Sequence, residues 1–333
     1  MERIGFSDFG NGKSSLKILL LRRSGSVGNW AKRAVFPGGV VEDGDFSLDW
    51  NDHFKRYSVN LDGQLLPSTA QRPAIFQTKS HELAREISLR ITAIRETFEE
   101  TGFLLSLNKS QPVDLLATWR QRLIDSTGNF LQMCNELDVC PDVPALKLWS
   151  NWRTPANDRT SSKRYDTAFF VAECDEGLEI VVDKTETSSA LWLSPAEGIS
   201  RMSSDDLFIP SPQIYECVRI LPFANAKDLI DFAEKHQKEG TELLAPALVY
   251  CTDGIVVIFA GDDAYPENSE LVDGRNNRNC TMAEFRTEAA SLRRYETTMN
   301  DTMTGLFHTK CSNLVNPDSE SVNPILLKCA GRK

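Results

Sequence analysis

The clearest hydrophobic and polar pattern in the chain is helical and covers about residues 81–101. Apolar side chains recur there at spacings of four, three and four, at Ile87, Ile91, Ile94 and Phe98. These spacings place them on one face of a helix, which can dock on a core. Ser80 is a candidate cap for the start, and Gly102 is a residue through which a helix can end at positive φ. The pattern predicts a helix over about residues 81–101.

Three carboxylates lie almost opposite this apolar face. Glu96, Glu99 and Glu100 fall within an arc of roughly 100°, because residues three and four apart are neighbours on a helix surface. No lysine lies among them, so their mutual repulsion favours a bound cation. Oxygen ligands favour magnesium or manganese over zinc. A solvated acidic face without a ligand is the alternative explanation of the same pattern.

Shorter patterns predict a sheet and further helices. The predicted strands are 18–21, 36–41 around a Pro-Gly-Gly turn, 165–174, and a hairpin of 248–250 with 255–259. The predicted helices are 113–139 and 226–238. The Pro-Gly-Gly turn also lets the backbone approach a ligand closely, since glycine has no side chain.

An aromatic segment and then a polar one separate that turn from the acidic helix. Phe46, Trp50, Phe54 and Tyr57 recur at helical spacing and predict a helix that covers an apolar surface. Residues 61–80 turn to proline, serine, threonine and glutamine. We expect them to form a loop over or beside the active site.

The turn and the acidic helix together resemble the nudix box, whose pattern is Gly-x5-Glu-x7-Arg-Glu-U-x-Glu-Glu-x-Gly-U with U aliphatic. Arg95 to Gly102 match its back half, except that Thr97 stands at an aliphatic position. Asp45 stands where the first glutamate is expected after Gly39. Arg95 follows Gly39 by 56 residues, which is about 42 more than the family pattern has.

This split box resembles that of the nudix motif 19 type, the peroxisomal coenzyme A diphosphatases. The resemblance covers most of residues 16–265. It continues through Trp119-Arg120, Cys140-Pro141-Asp142, Leu148-Trp149-Ser150-Asn151-Trp152, Lys163-Arg164-Tyr165-Asp166-Thr167 and Leu191-Trp192.

The resemblance implies an α/β fold, a nudix-type α/β/α sandwich with a mixed β-sheet and a C-terminal α+β extension. The expected nudix domain is residues 1–220, with an insertion at 46–80 inside the box. The expected extension is residues 221–333, and its last part, 296–333, is polar and unpatterned enough to be poorly ordered.

The same resemblance assigns roles to the box residues. Glu96, Glu100 and Glu99 are the expected metal ligands for Mg²⁺ or Mn²⁺. Arg95 is expected to pair with Glu99 and orient the cluster. The general base is Glu99 or Glu186, and an exposed loop acid is an equally good explanation of Glu186.

The expected substrate contacts are Gly38, Gly39 and Arg23, next to the phosphates. The implied activity is metal-dependent hydrolysis of the diphosphate bond of coenzyme A or acyl-coenzyme A, giving 3′,5′-ADP and 4′-phosphopantetheine or its acyl form. The alternatives are a nudix hydrolase for another nucleoside diphosphate derivative, such as ADP-ribose or a dinucleotide, and a catalytically silent nudix binding module.

Composition narrows the partners and the compartment. A net charge of −10 argues against nucleic-acid binding, which needs a basic surface. The eight cysteines form no Cys-x-x-Cys pair and no apolar run approaches 18 residues, so we expect reduced thiols, no membrane span and an intracellular protein. Peroxisomal residence follows from the resemblance, but Gly331-Arg332-Lys333 is not the usual signal. Cytoplasm and mitochondrion therefore stay open, as does the oligomeric state.

Overall fold

The structure, a computed structural model, describes most of the chain between residues 16 and 298. The described ranges are 16–24, 33–67, 73–108, 112–126, 129–156, 163–174, 178–182, 187–202, 207–267 and 276–298, with the backbone alone of 3–4, 203, 303–307 and 320–329. Within them, no helix is long and apolar enough to cross a membrane.

The strands form two sheets. They are β1 (Arg3–Ile4), β2 (Leu16–Arg23), β3 (Ala34–Val35), β4 (Lys147–Arg153), β5 (Asp166–Glu173), β6 (Thr187–Leu193), β7 (Leu243–Leu244), β8 (Ala247–Tyr250), β9 (Gly254–Ile258), β10 (Arg294–Thr298), β11 (Met303–Phe307) and β12 (Glu320–Cys329). The helices are α1 (Asp49–Arg56), α2 (Arg85–Thr101), α3 (Val113–Ile124), α4 (Phe130–Glu136), α5 (Pro195–Ser203), α6 (Ser211–Ile220), α7 (Ala226–His236) and α8 (Met282–Thr287).

The larger sheet is mixed. β5 pairs antiparallel with β4 and parallel with β12, and β12 pairs antiparallel with β2. β2 also pairs antiparallel with β3 and β6, and β7 adds parallel to β4. The predicted strands 18–21 and 165–174 are therefore β2 and β5, the latter buried along almost its whole length.

Helices cover both faces of this sheet, because alternate residues of each strand point to opposite sides. On β5, Phe170 belongs to the core that contains α2, α3 and α4, whereas Phe169 belongs to the core that contains α5, α6 and α7. On β2, Leu19 and Leu20 divide in the same way. The expected α/β/α layering is confirmed.

The box helix α2 begins four residues later than predicted and ends where predicted. His81 has φ 66°, outside the helical region, and the N-cap residue Ala84 makes no side-chain cap, so the expected cap at Ser80 is wrong. Gly102 has φ 72° and its N–H donates to the Phe98 carbonyl at 2.8 Å. The apolar face is buried as predicted.

The insertion folds back on the domain. α1 buries Trp50 and Phe54, which share a core with Phe130 of α4. Leu83 N–H donates to the Phe46 carbonyl at 2.9 Å, so the two ends of the insertion meet. The excursion therefore leaves the box halves adjacent in space.

The described part of the predicted active-site loop packs elsewhere. Ile75 and Phe76 are buried in the core beside α2 and β5, and Thr78 accepts the N–H of Arg85 at 3.0 Å. Arg85 lies about 15 Å along α2 from Arg95, at roughly 1.5 Å per residue. These residues brace the start of α2 instead of covering its acidic end, and residues 68–72 lie outside the described residues.

The segment beyond residue 220 contributes directly to the central sheet through β7 and β12. Gln237, just after α7, accepts from the buried Arg90 of α2 at 3.1 Å and from Leu148 N–H at 3.1 Å. The domain boundary at residue 220 stays a prediction. Residues after 220 nevertheless contribute strands to the larger sheet and side chains to the core beside it.

The smaller sheet has the order β1-β11-β10-β9-β8 and contains the predicted hairpin, because β8 and β9 pair antiparallel. The region 296–333, expected to be poorly ordered, supplies the end of β10 and all of β11 and β12. β12 contains the apolar run Ile325-Leu326-Leu327, and strand pairing satisfies its backbone groups. Poor order elsewhere in 296–333 stays a prediction.

We predict that Trp50→Ala lowers the free energy of unfolding by about 3–5 kcal/mol, since it removes a fully buried indole from the core. Trp50 is 0% exposed, and its Nε1 donates to the Gly44 carbonyl at 3.0 Å. Urea unfolding measures the change. The control Leu48→Ala, at a residue 47% exposed, should stay within about 0.5 kcal/mol. A loss in Trp50→Ala as small as that expected for the control would show that Trp50 does not contribute to the core.

Candidate active site

The Gly-Gly turn lies against the acidic end of α2. The N–H of Gly38 donates to Glu100 Oε2 at 2.8 Å, and Gly38 has φ 141°, a conformation that favours glycine. A Cβ at Gly39 would lie 2.4 Å from Glu96 Oε2. A side chain at position 38 would therefore be strained, and one at position 39 would require the Glu96 carboxylate to move.

Arg95 and Asp45 form a buried ion pair between the two halves of the box. Their side chains are each 2% exposed, with Arg95 Nη2 3.0 Å from Asp45 Oδ2 and Arg95 Nε 3.1 Å from Oδ1. Asp45 also accepts from Thr92 Oγ1 at 2.8 Å and from Glu42 N–H at 3.0 Å. Asp45 thus fills the position of the first box glutamate as the anchor of the arginine.

The same guanidinium continues toward the acids of the helix. Arg95 Nη1 lies 3.1 Å from Glu96 Oε1 and 3.2 Å from Glu99 Oε1, and Nη2 donates to the Val40 carbonyl at 2.8 Å. Burial alone would lower the pKa of Arg95, but Asp45 and Glu96 outweigh it and raise the pKa. The predicted contact between Arg95 and Glu99 is present in the structure.

One arginine does not neutralise this cluster. Burial raises the pKa of Glu96 to about 7, with Glu99 adding to the rise and Arg95 opposing it. Burial likewise raises the pKa of Glu99 against the effect of Arg95. A cation would stabilise the charged form of these half-buried carboxylates. Carboxylate oxygens are also the ligand type that hard divalent ions prefer.

In this structure the three box carboxylates each have a donor within the protein. Among the described residues, no three histidine, cysteine, aspartate or glutamate side chains are arranged to hold a metal ion. Glu96 and Glu99 instead contact Arg95, and Glu100 contacts Gly38.

Two of the predicted site residues, Arg23 and Glu186, are not among the residues that contact this cluster in the described structure. Arg23 is exposed at the end of β2, where its N–H donates to the Arg33 carbonyl at 2.9 Å. Glu186 lies outside the described residues. The structure therefore brings together Gly38, Gly39, Arg95, Glu96, Glu99 and Glu100.

Arg120 of α3 contacts the box helix, although the residue patterns did not single it out. Its Nε donates to the Glu99 carbonyl at 2.8 Å and its Nη1 to the Val181 carbonyl at 2.6 Å. Its only sequence signal is its place in the Trp119-Arg120 pair. Asp45 carried a stronger signal, since it stands at a box position.

Comparison with known proteins gives consistent matches. The model of the NUDT19 Nudix domain family matches residues 9–220. The acyl-coenzyme A diphosphatase NUDT19 of Xenopus laevis is 34% identical over 300 residues, covering 84% of this chain and 79% of the relative. The protein of the same name from Gallus gallus is 34% identical over 285 residues, covering 78% and 75%. A crystal structure of a nudix hydrolase from Alicyclobacillus acidocaldarius aligns with a TM-score of 0.48 at 22% identity, covering 67% of this chain and 90% of that one.

We predict that Asp45→Asn lowers the free energy of unfolding by on the order of 3 kcal/mol, because it removes the charge that faces a buried guanidinium. The asparagine has nearly the same shape, so the loss reports charge and not volume. Chemical denaturation measures it. Glu42→Gln is the control: Glu42 is 64% exposed and 3.6 Å from Arg95, and should cost less than about 1 kcal/mol. Similar losses for both would refute a special role for Asp45.

We predict a pH-dependent stabilisation in Glu96→Gln when a chelator is present. The folded pKa of Glu96 is raised to about 7 from an ordinary value of 4.5. Between these values the folded chain holds more protons than the unfolded chain, so stability falls as the pH rises. Glutamine removes this loss, and the variant should gain on the order of 2 kcal/mol relative to wild type between pH 5 and pH 8. Urea unfolding at both pH values measures it, and an equal difference at both would contradict the assignment.

Proposed function

Because the chain belongs to the NUDT19 Nudix domain family, we propose that it hydrolyses the diphosphate bond of coenzyme A or acyl-coenzyme A. The products are 3′,5′-ADP and 4′-phosphopantetheine or its acyl form. The observation that carries the proposal is the intact acidic end of α2, with the two glycines in contact with it, in a chain whose relatives are named acyl-coenzyme A diphosphatases. The chain is a nudix hydrolase.

The proposed metal ligands are Glu96, Glu99 and Glu100, and the proposed ion is Mg²⁺ or Mn²⁺. When bound, a divalent cation supplies charge neutralisation at the diphosphate and lowers the pKa of a bound water. The donor set fits, because burial raises the pKa of Glu96 and Glu99 and leaves their negative charge undercompensated.

In this proposal, Arg95 orients the side chains of Glu96 and Glu99. Its Nε and Nη2 are held by Asp45, so Nη1 is presented to Glu96 and Glu99 from a fixed direction. The general base is Glu99 or Glu186. Burial raises the pKa of Glu99, and a carboxylate with a raised pKa takes up a proton more readily than one with an ordinary pKa, which supports Glu99 in this role.

The glycine turn and Arg23 are the proposed substrate contacts. Without side chains at Gly38 and Gly39, the backbone of the turn lies close to the acids, with Gly38 N–H within hydrogen-bond distance of Glu100, and we propose that it contacts an anionic group of the substrate. Arg23 is exposed on β2 and can reach a phosphate in solvent.

The runner-up is a nudix hydrolase for another nucleoside diphosphate derivative, such as ADP-ribose or a dinucleotide. The described residues account for chemistry at a diphosphate, which coenzyme A, ADP-ribose and dinucleotides all contain. A silent binding module is disfavoured, because Glu96, Glu99, Glu100 and Arg95 are all present and Arg95 contacts Glu96 and Glu99. For the compartment, the family resemblance favours the peroxisome, and imaging of the tagged chain with its own C-terminus free tests this.

We predict that purified protein with Mg²⁺ or Mn²⁺ converts coenzyme A to two products resolved by chromatography, with ADP-ribose and dinucleotides turned over at least tenfold less efficiently in kcat/KM. Strong preference for ADP-ribose would overturn the substrate but not the enzyme class. Absence of turnover of all three would overturn the proposed function.

Glu100→Gln refines the same experiment. The amide oxygen can still accept from Gly38 N–H, while the charge that a cation needs is lost, so kcat/KM should fall on the order of 100-fold with thermal unfolding still cooperative. Glu136→Gln, at an exposed residue of α4 that pairs with Gln132, is the matched control and should keep full activity.

A further inference from the structure

The acidic end of α2 is held by bonds to its backbone as well as to its side chains. The last four carbonyls of a helix have no donor within the helix. Here Gly102 N–H donates to Phe98 O at 2.8 Å, Arg120 Nε donates to Glu99 O at 2.8 Å, and Val181 N–H donates to Thr101 O at 3.0 Å. The turn that carries Glu99 and Glu100 is therefore tied to two other segments of the chain.

Arg120 closes these bonds into a ring. Its Nη1 donates to Val181 O at 2.6 Å, and Val181 N–H returns to α2 through Thr101 O. One guanidinium thus spans the box helix and the segment 178–182, with its planar fork fixing the angle between them. A Cβ at Gly102 would lie 3.3 Å from Arg120 Nη1, so the glycine also makes room for the fork.

We propose that Arg120 is a positioning residue for the hydrolytic reaction. It holds the last turn of α2 so that Glu99 faces Arg95 and Glu100 faces the N–H of Gly38. A cation near a helix C-terminus also interacts favourably with the helix dipole. The proposal rests on the proposed function, since it assigns to Arg120 a role in the same site.

Arg120 differs from Arg95 in what it contacts. Arg95 meets the carboxylates of Glu96 and Glu99 and sets their charge balance. Arg120 binds α2 and the segment 178–182 through backbone carbonyls, so its loss is expected to move the acids. The expected signature is a fall in kcat with little change in KM.

The test uses Arg120→Ala and Arg120→Lys, with Arg122→Ala as the matched control. Arg122 is on the same helix, and its guanidinium lies 3.6 Å from the centre of the Trp119 ring. We expect Arg120→Ala to lower kcat for coenzyme A about tenfold while KM changes less than threefold. Arg120→Lys should recover only part of the loss, since an ammonium cannot reproduce the bidentate fork. Arg122→Ala should keep kcat within twofold.

Amide hydrogen exchange by mass spectrometry provides a readout that does not depend on turnover. Peptides covering residues 98–103 and 178–182 should exchange at least fivefold faster in Arg120→Ala than in Arg122→Ala, with 85–92 unchanged. Faster exchange with unchanged kcat would make Arg120 structural only and overturn the proposal. Equal losses of kcat in both alanine variants, or full recovery by lysine, would also overturn it. If the wild type hydrolyses no coenzyme A, the proposed function fails and the positioning role fails with it, whereas the exchange result still decides whether Arg120 ties α2 to the segment 178–182.

Discussion

The site depends on the buried pair between Arg95 and Asp45. A guanidinium that is 2% exposed is tolerated only when its donors are satisfied, because an uncompensated buried charge is strongly destabilising. Asp45 supplies that compensation from one half of the split box, and Arg95 stands in the other. The pair therefore fixes both the distance between the halves and the direction from which Arg95 meets Glu96 and Glu99.

The long insertion costs little once this pair exists. The entropy of closing a loop grows only with the logarithm of its length, and the contact of Phe46 with Leu83 closes this one at its base. The insertion also brings its own buried aromatic residues, Trp50 and Phe54. It behaves as an added layer beside the start of α2, and the acidic end keeps its place.

The negative charges of the acids in the site are only partly compensated within the protein. Burial raises the pKa values of Glu96 and Glu99, and Arg95, which is also paired with Asp45, offsets that rise only in part. Glu100 is held by a neutral donor, the N–H of Gly38. An arrangement of this kind is less stable by itself than with an additional cation, which is the physical link between the fold and the proposed hydrolysis.

The sequence by itself determined the local elements and the chemistry of the box. A repeat of 3.6 residues located α2, its apolar face and the common face of the three acids, and continuous apolar runs located β2 and β5, because such periods depend only on neighbouring residues. The tertiary structure decided what is joined across the chain: Asp45 to Arg95, Arg120 to Glu99, and β12 between β2 and β5. These contacts use buried charges and backbone hydrogen bonds between segments far apart in sequence, and no local pattern specifies which distant partner will satisfy them.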